Sequence, residues 1–399
     1  MQQTLAAVPR EWDRRGLPAW TYGSAELLEL EAELLFRRHW QLICHVSDVA
    51  EPGDFVTLDV CGERALVVRG RDGVVRAFHN LCRHRGSRLV ADERGNIRSA
   101  MICPFHGWTY DLNGCLRGVA HPTSLPPLDP VEWGLKPLEM EIWQGFVFVR
   151  FKEGPQPSVA EVMARHEAEI APYGIAGLEP TGPIGWTDES PVNWKAVRDV
   201  DNEGYHVAMA HPGLHDLYGR YYHDEAFFEG TSRSFATFNP GPGRIWSVKA
   251  YKSILPEAHW LPESHRRAWL YIGLFPNTVI GLYPDSVMFY QEFPLAVDRT
   301  QIRGAIYARP DEDRALRAAR YLSARIDLLT AEEDKQLTIW SCEATQSSAY
   351  DGVLLTDLEY GVKTYHDHLR AQMPVLTLDE SPEAGALAAI NDEMLEAET

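Results

Sequence analysis

CRHRGSRLVADERGNIRSAMICPFHGW, residues 82–108, opens on Cys82-Arg83-His84 and closes on Cys103-Pro104-Phe105-His106-Gly107-Trp108. Each end pairs one thiol with one imidazole at short spacing. Two cysteines and two histidines form the ligand set of a [2Fe–2S] cluster with sulfur on one iron and nitrogen on the other. Replacing two thiolates by neutral imidazoles removes negative charge and raises the cluster potential to about −150 to +300 mV, against roughly −400 mV for the all-cysteine type. A structural zinc site uses the same residue types, but it usually groups Cys with Cys and His with His, whereas both halves here are mixed. Gly86 and Gly107 permit tight turns that aim N–H groups inward, Pro104 stiffens the second loop, and Tyr110 stands where it can donate to a sulfur.

The texture around these loops sets the fold class. From Phe55 to Phe151 short β runs alternate with turn signals. Ala65-Leu66-Val67-Val68, Val74-Val75-Arg76-Ala77-Phe78 and Gly145-Phe146-Val147-Phe148-Val149 are separated by Arg71-Asp72-Gly73 and Asn113-Gly114. They predict a small antiparallel β domain that carries the cluster on its loops. Residues 25–40 place leucines at helical spacing and predict an amphipathic helix. Glu153-Gly154-Pro155-Gln156-Pro157 is a breaker-rich boundary, and Ser158 to Glu161 reads as a capping box opening a helix. Strand texture returns over 232–310, and a long helical region follows over 311–345. The whole is α+β, with an antiparallel sheet packed against helices in the second domain. The division is 1–40 as an N-terminal helical segment packing on the catalytic domain, 41–153 as the cluster domain and 158–399 as the catalytic domain. The acidic, Ala-rich tail from Asp379 is expected to fray.

A net charge of −19 argues against nucleic acid as a partner. Arg83, Arg85, Arg88, Arg94 and Arg98 form a local exception beside the cluster, read either as a docking patch for an acidic electron donor or as a solvated surface. No run of 18 apolar residues suggests a membrane span. Met1-Gln2-Gln3-Thr4 carries no secretory pattern, and six cysteines without a tight framework suit a reducing cytoplasm.

Cys82 to Gly86, Cys103 to Trp108, Asn193-Trp194-Lys195, Glu203-Gly204-Tyr205-His206, His211-Pro212 and Glu333-Asp334 resemble the large (α) subunit of the Rieske non-haem iron oxygenases. The resemblance covers most of the chain. It implies a Rieske [2Fe-2S] domain, inserted in or preceding a helix-grip (START/Bet v1-like) catalytic domain. It also implies a mononuclear Fe(II) that uses O2 on a small organic substrate. Electrons come from a separate NAD(P)H reductase, directly or through a ferredoxin, and a cyclic homotrimer lets each cluster serve its neighbour.

His206, His211 and Asp334 are the candidate iron ligands, since two imidazoles and a carboxylate on one face leave three positions open for oxygen and water. Pro212 disfavours the α conformation at His211, so the helix should end there and swing His211 toward His206. Among Glu332, Glu333 and Asp334, a capping box from Thr330 gives Glu333 a structural task and leaves Asp334 to face inward, the position the resemblance also assigns. The resemblance makes Glu203 a carboxylate bridging the two metal centres across a subunit interface, with Asp199 and Asp201 as alternatives. Most relatives place Asp there, and Glu is shared with the branch acting on quaternary ammonium compounds. The expected reaction is oxidative N-demethylation or monooxygenation of such a compound, with aromatic side chains caging the cation. Ring hydroxylation of an aromatic acid is the nearest rival, and a non-catalytic electron carrier is the alternative from another class.

Overall fold

The computed structural model describes residues 8–398, so Met1 to Thr4 lie outside the described residues. Two compact units result, and they are not the linear segments drawn from sequence. Residues 33–161 with 174–183 form one. Residues 8–32, 162–173 and 184–398 form the other. The cluster-bearing unit is therefore inserted in the catalytic one, and the N-terminal helical segment is shared between them.

The inserted unit is built from β1 (Gln41–His45), β2 (Asp54–Val60), β3 (Glu63–Arg69), β4 (Val75–His79), β5 (Arg94–Asn96), β6 (Met101–Ile102), β7 (Thr109–Tyr110), β8 (Leu116–Gly118), β9 (Glu139–Trp143) and β10 (Phe146–Arg150). They form three small sheets in the orders β1-β10-β9, β4-β3-β2-β5 and β6-β7-β8, all antiparallel. Phe55, Leu66, Val68, Phe78, Leu89, Met101, Trp108, Tyr110 and Leu135 pack into one core together with Cys82 and Cys103. The two cysteines thus enter from loops anchored on buried apolar surface. Ser158 and Glu161 exchange reciprocal bonds as a capping box, Ser158 N–H to Glu161 at 3.0 Å and Glu161 N–H to Ser158 Oγ at 3.2 Å.

The catalytic unit begins with α1 (Ala25–Glu31), capped by Ser24 Oγ, which accepts from Leu27 N–H at 3.1 Å. The helical run continues as a π-helical turn, Ala32–Phe36, and stops short of residue 40. Then come α2 (Trp194–Asp201), α3 (Val207–Ala210), α4 (Pro212–Leu217), α5 (Trp246–Ile254), α6 (Arg314–Ala344), α7 (Tyr360–Gln372) and α8 (Leu387–Glu398). The strands are β11 (Gly185–Trp186), β12 (Tyr222–Asp224), β13 (Thr231–Thr237), β14 (Ala268–Leu274), β15 (Thr278–Leu282), β16 (Val287–Ala296) and β17 (Arg299–Ala308). Their order is β11-β17-β16-β15-β14-β13-β12, antiparallel throughout. Helix α6 packs on α2, α4 and α5, and α2 packs on β16. The fold is α+β, as expected.

Two further expectations are corrected. The acidic tail does not fray: Leu387 and Asn391 are buried, and Glu26 accepts from Gly385 N–H and Leu387 N–H, both at 3.0 Å. A carboxylate on α1 thereby fixes the start of α8. Nor does a helix begin at Thr330. Helix α6 is capped by Asp313, whose side chain accepts from Leu316 N–H at 2.8 Å, and runs unbroken for 31 residues from Arg314. Inside that helix Thr330 Oγ1 donates back to Ile326 O at 3.1 Å, so the capping box read there does not form.

Candidate metal centres

The two Cys-His loops close on the same bonds. Cys82 N–H donates to Ser87 O at 2.7 Å and Gly86 N–H to Cys82 O at 2.9 Å; Cys103 N–H donates to Trp108 O at 2.8 Å and Gly107 N–H to Cys103 O at 3.0 Å. Gly86 and Gly107 both take positive φ, +70° and +68°, which a side chain resists. The loops are superimposable in hydrogen bonding, although the histidine follows its cysteine by two residues in one and three in the other. The rings of His84 and His106 stand 4.7 Å apart, and His84 stacks on Trp108 at 5.1 Å. His106 Nδ1 is buried with no hydrogen-bond partner, an orphan that a metal bond would satisfy. The Tyr110 hydroxyl accepts from Arg83 N–H at 3.1 Å, which leaves its proton for Cys82 Sγ at 3.4 Å. Burial raises the Cys103 thiol, but the N–H groups of His106 and Phe105 bring it below the ordinary value. Cys82 stays above that value, because burial outweighs Tyr110. These residues fit a [2Fe–2S] cluster, which is wider than a single ion and takes its sulfur pair and nitrogen pair at opposite ends.

The second site is assembled by α3, α4 and α6. Chain direction breaks at His211 (φ −120°, ψ 83°) between α3 and α4, with Pro212 opening the latter. His206 and His211 consequently face each other with 3.0 Å between their Nε2 atoms. Asp334 Oδ1 lies 2.8 Å from His211 Nε2 and 3.5 Å from His206 Nε2. The three donor atoms fall within 4.8 Å of one another. Two metal–nitrogen bonds of about 2.1 Å at a right angle put the nitrogens about 3.0 Å apart, so the spacing suits a facial triad. Asp334 Oδ1 is buried with no N–H aimed at it, a second orphan pointing into the same space.

Each ring is turned by a carboxylate at its far nitrogen. His206 Nδ1 donates to Glu203, whose other oxygen accepts from His206 N–H at 3.1 Å. His211 Nδ1 donates to Glu333 at 2.8 Å. Both Nε2 lone pairs are thus presented to one point. Burial alone would lower His206, but Asp334 and Glu203 together outweigh it and push the imidazole up to about 10. Burial likewise opposes ionisation of Asp334, which His206 and His211 hold below the usual carboxylate range. The site is built to stabilise positive charge. Between Glu203 and His206, Gly204 leaves room for Tyr222: a Cβ there would stand 1.9 Å from the ring.

The other candidates are placed elsewhere. Asp199 accepts from Tyr22 and from His366, and Asp201 from Tyr290 and Arg198, so both are tied to the catalytic unit's own side chains rather than to the triad. Lys195 and Trp194 both bind the buried Glu31, at 2.5 and 2.7 Å. Of the arginine group, Arg88 pairs with Asp59 and Arg83 reaches Glu132 O, leaving Arg85, Arg94 and Arg98 exposed. Glu333 is the site residue whose role was missed. Its local sequence imitates a capping box, and its actual partner lies 122 residues away.

Residues 166–375 match the ring hydroxylating alpha subunit (catalytic domain) family, and residues 39–129 match the Rieske [2Fe-2S] domain. The carnitine monooxygenase oxygenase subunit of Acinetobacter pittii is 31% identical over 309 residues, which is 74% of this chain and 77% of that protein. The glycine betaine monooxygenase oxygenase subunit of Pseudomonas aeruginosa is 34% identical over 198 residues, 50% of this chain and 45% of that one. The solved structure of a quaternary ammonium Rieske monooxygenase has the same fold, with a TM-score of 0.75 at 24% identity over 92% of this chain and 99% of that chain. The chain belongs to the ring-hydroxylating alpha subunits, the oxidoreductase family whose members join a Rieske [2Fe-2S] domain to a catalytic non-haem iron domain.

Proposed function

We propose that this chain is the terminal oxygenase of a multicomponent system that monooxygenates a quaternary ammonium compound. The observation that carries the proposal is the convergence of His206, His211 and Asp334, each imidazole backed by its own carboxylate. The substrate class is supported by Glu203 in place of the commoner Asp and by the carnitine and glycine betaine relatives.

When bound, the [2Fe–2S] cluster at Cys82, His84, Cys103 and His106 supplies single electrons, and Fe(II) at the triad supplies oxygen activation. The chain's own residues prepare both. Tyr110 donates a hydrogen bond to Cys82 Sγ and so favours added negative charge there. Glu203 and Glu333 hold the Nδ1–H groups and so orient both rings with Nε2 toward the ion, which takes the place of the proton on His206. Glu203 also stands as the candidate bridge to a neighbouring chain's cluster histidine, with a homotrimer as the assembly. Light scattering at three times 45.1 kDa supports that assembly, and a monomer refutes it. Arg85, Arg94 and Arg98 offer exposed positive charge to an acidic reductase or ferredoxin.

One O2, two electrons and two protons insert one oxygen atom at a carbon bonded to nitrogen and yield water. The resulting carbinol divides into an amine and an aldehyde, which is formaldehyde when the carbon is a methyl. The test supplies reductase, NADH and O2 with carnitine, glycine betaine and choline. Amine and aldehyde should appear in step with oxygen uptake, and three irons should be found per chain. Hydroxylation of an aromatic acid with no turnover of any quaternary ammonium overturns the proposal, as does a chain that holds two irons.

A further inference from the structure

Helix α6 carries a second inward acid, Asp327, seven residues before Asp334. Seven residues are nearly two full turns, so both acids project from one helix face about 10 Å apart. The hydroxyl of Tyr283 donates to Asp327 at 3.1 Å and lies 2.8 Å from the hydroxyl of Tyr271. The Tyr283 ring stacks on Trp269 at 4.1 Å and meets Tyr271 edge-on at 5.7 Å. Tyr218 is kept from ionising by burial first, and then by the charges of Asp327, Asp224 and Asp334, so it links the surroundings of Asp327 to those of the triad.

The fold makes little use of Asp327. A carboxylate has about four acceptor sites. Asp285, close by, fills its own with Tyr251, Ser286 and Ser323. Asp327 has the single bond from Tyr283, and among the described residues no lysine, arginine or histidine pairs with it. Its carboxyl is nevertheless pushed up to about 8, by burial and then by Asp285. It also retains accessible surface, as do Tyr271 and Met288 of the facing strands, while Trp269 and Tyr283 beside them are buried. A half-buried acid with one hydrogen bond, no cationic partner and tyrosines beside it is an incomplete arrangement, and a cation without N–H donors completes it.

We infer that Asp327, walled by Tyr271 and Tyr283, seats the quaternary ammonium group of the substrate. The inference rests on the proposed substrate class and names the residue that would enforce it. About 10 Å of helix holds an ammonium in contact with the acid at about 4 Å and the carbon attached to it, facing the triad. Specificity follows from charge: a tert-butyl group has the same shape as trimethylammonium but leaves the acid unpaired.

The test uses full-length protein with both metals, and two isosteric pairs: glycine betaine with 3,3-dimethylbutanoate, and choline with 3,3-dimethylbutan-1-ol. Calorimetry gives the dissociation constants. Wild type should favour at least one cation over its neutral partner by on the order of 30-fold or more, and Asp327→Asn should reduce the ratio to about threefold or less. Iron retained at His206, His211 and Asp334 verifies folding. If Asp327→Asn does not retain it, Asp327→Ser carries the same expectation. A wild type that prefers the cation alongside a variant that still does overturns the role of Asp327 and leaves the substrate class standing. A wild type with no preference in either pair overturns the substrate class, and the role with it.

Discussion

Replacing Glu203 by Gln removes the charge behind His206 while keeping size and shape. The carboxylate makes two bonds to His206, one to Nδ1 and one to the backbone N–H, and its side chain is 11% exposed. Glu333 makes a single 2.8 Å bond to His211, and its side chain is 37% exposed. Losing a carboxylate behind a metal-bound histidine costs about 10- to 100-fold in metal affinity. Solvent screens the more open partner and competes for its bond. Glu203→Gln should therefore fall near the hundredfold end, about 2.7 kcal/mol, and Glu333→Gln near the tenfold end, about 1.4 kcal/mol. Anaerobic competition between the protein and a chelator for Fe(II), with Co(II) as a check against oxidation, measures both without turnover. The reasoning is refuted if both variants bind within threefold of wild type, or if Glu333→Gln is the more damaging.

Tyr110→Phe removes the hydroxyl proton from Cys82 Sγ and should lower the cluster potential by tens of millivolts, one decade in equilibrium constant being about 59 mV; film voltammetry reads the shift, and an unchanged potential contradicts it. Lys195→Met strands Glu31, since both groups are essentially unexposed, and should destabilise the catalytic unit by about 3–5 kcal/mol in a denaturant titration. In metal-free protein the raised His206 stabilises the fold fully below its unfolded value of about 6.5, and that contribution is lost as pH rises through about 10. Fe(II) must displace the same proton, so its apparent affinity should climb between pH 6 and 9 by up to tenfold per unit per proton, while the apo melting temperature falls over that range. A flat affinity profile would mean that His206 is already neutral.

Much of the chemistry was legible because its spacing is local. Cys82 to His84 and Cys103 to His106 occupy single loops, and Pro212 beside His211 announces the bend that brings two imidazoles together. What stayed hidden depends on contacts made at long range. Glu31 looks like any charge on an amphipathic helix until Lys195, 164 residues on, is found against it. Thr330 to Glu333 carries a valid cap signature, but a helix already running from residue 314 overrides it, because a cap has meaning only where four N–H groups lack partners. The tail from Asp379 is polar on average, and averages conceal the two positions, Leu387 and Asn391, that bury.

Asp327, Glu333 and Asp334 all ride on one uninterrupted rod, and this ties their azimuths together. A single residue inserted between 327 and 333 would rotate everything downstream by about 100°, carrying the ion's carboxylate and its imidazole brace away from the tyrosine pair in one stroke. This stretch has to keep count, and its helical phase is the molecule's internal ruler.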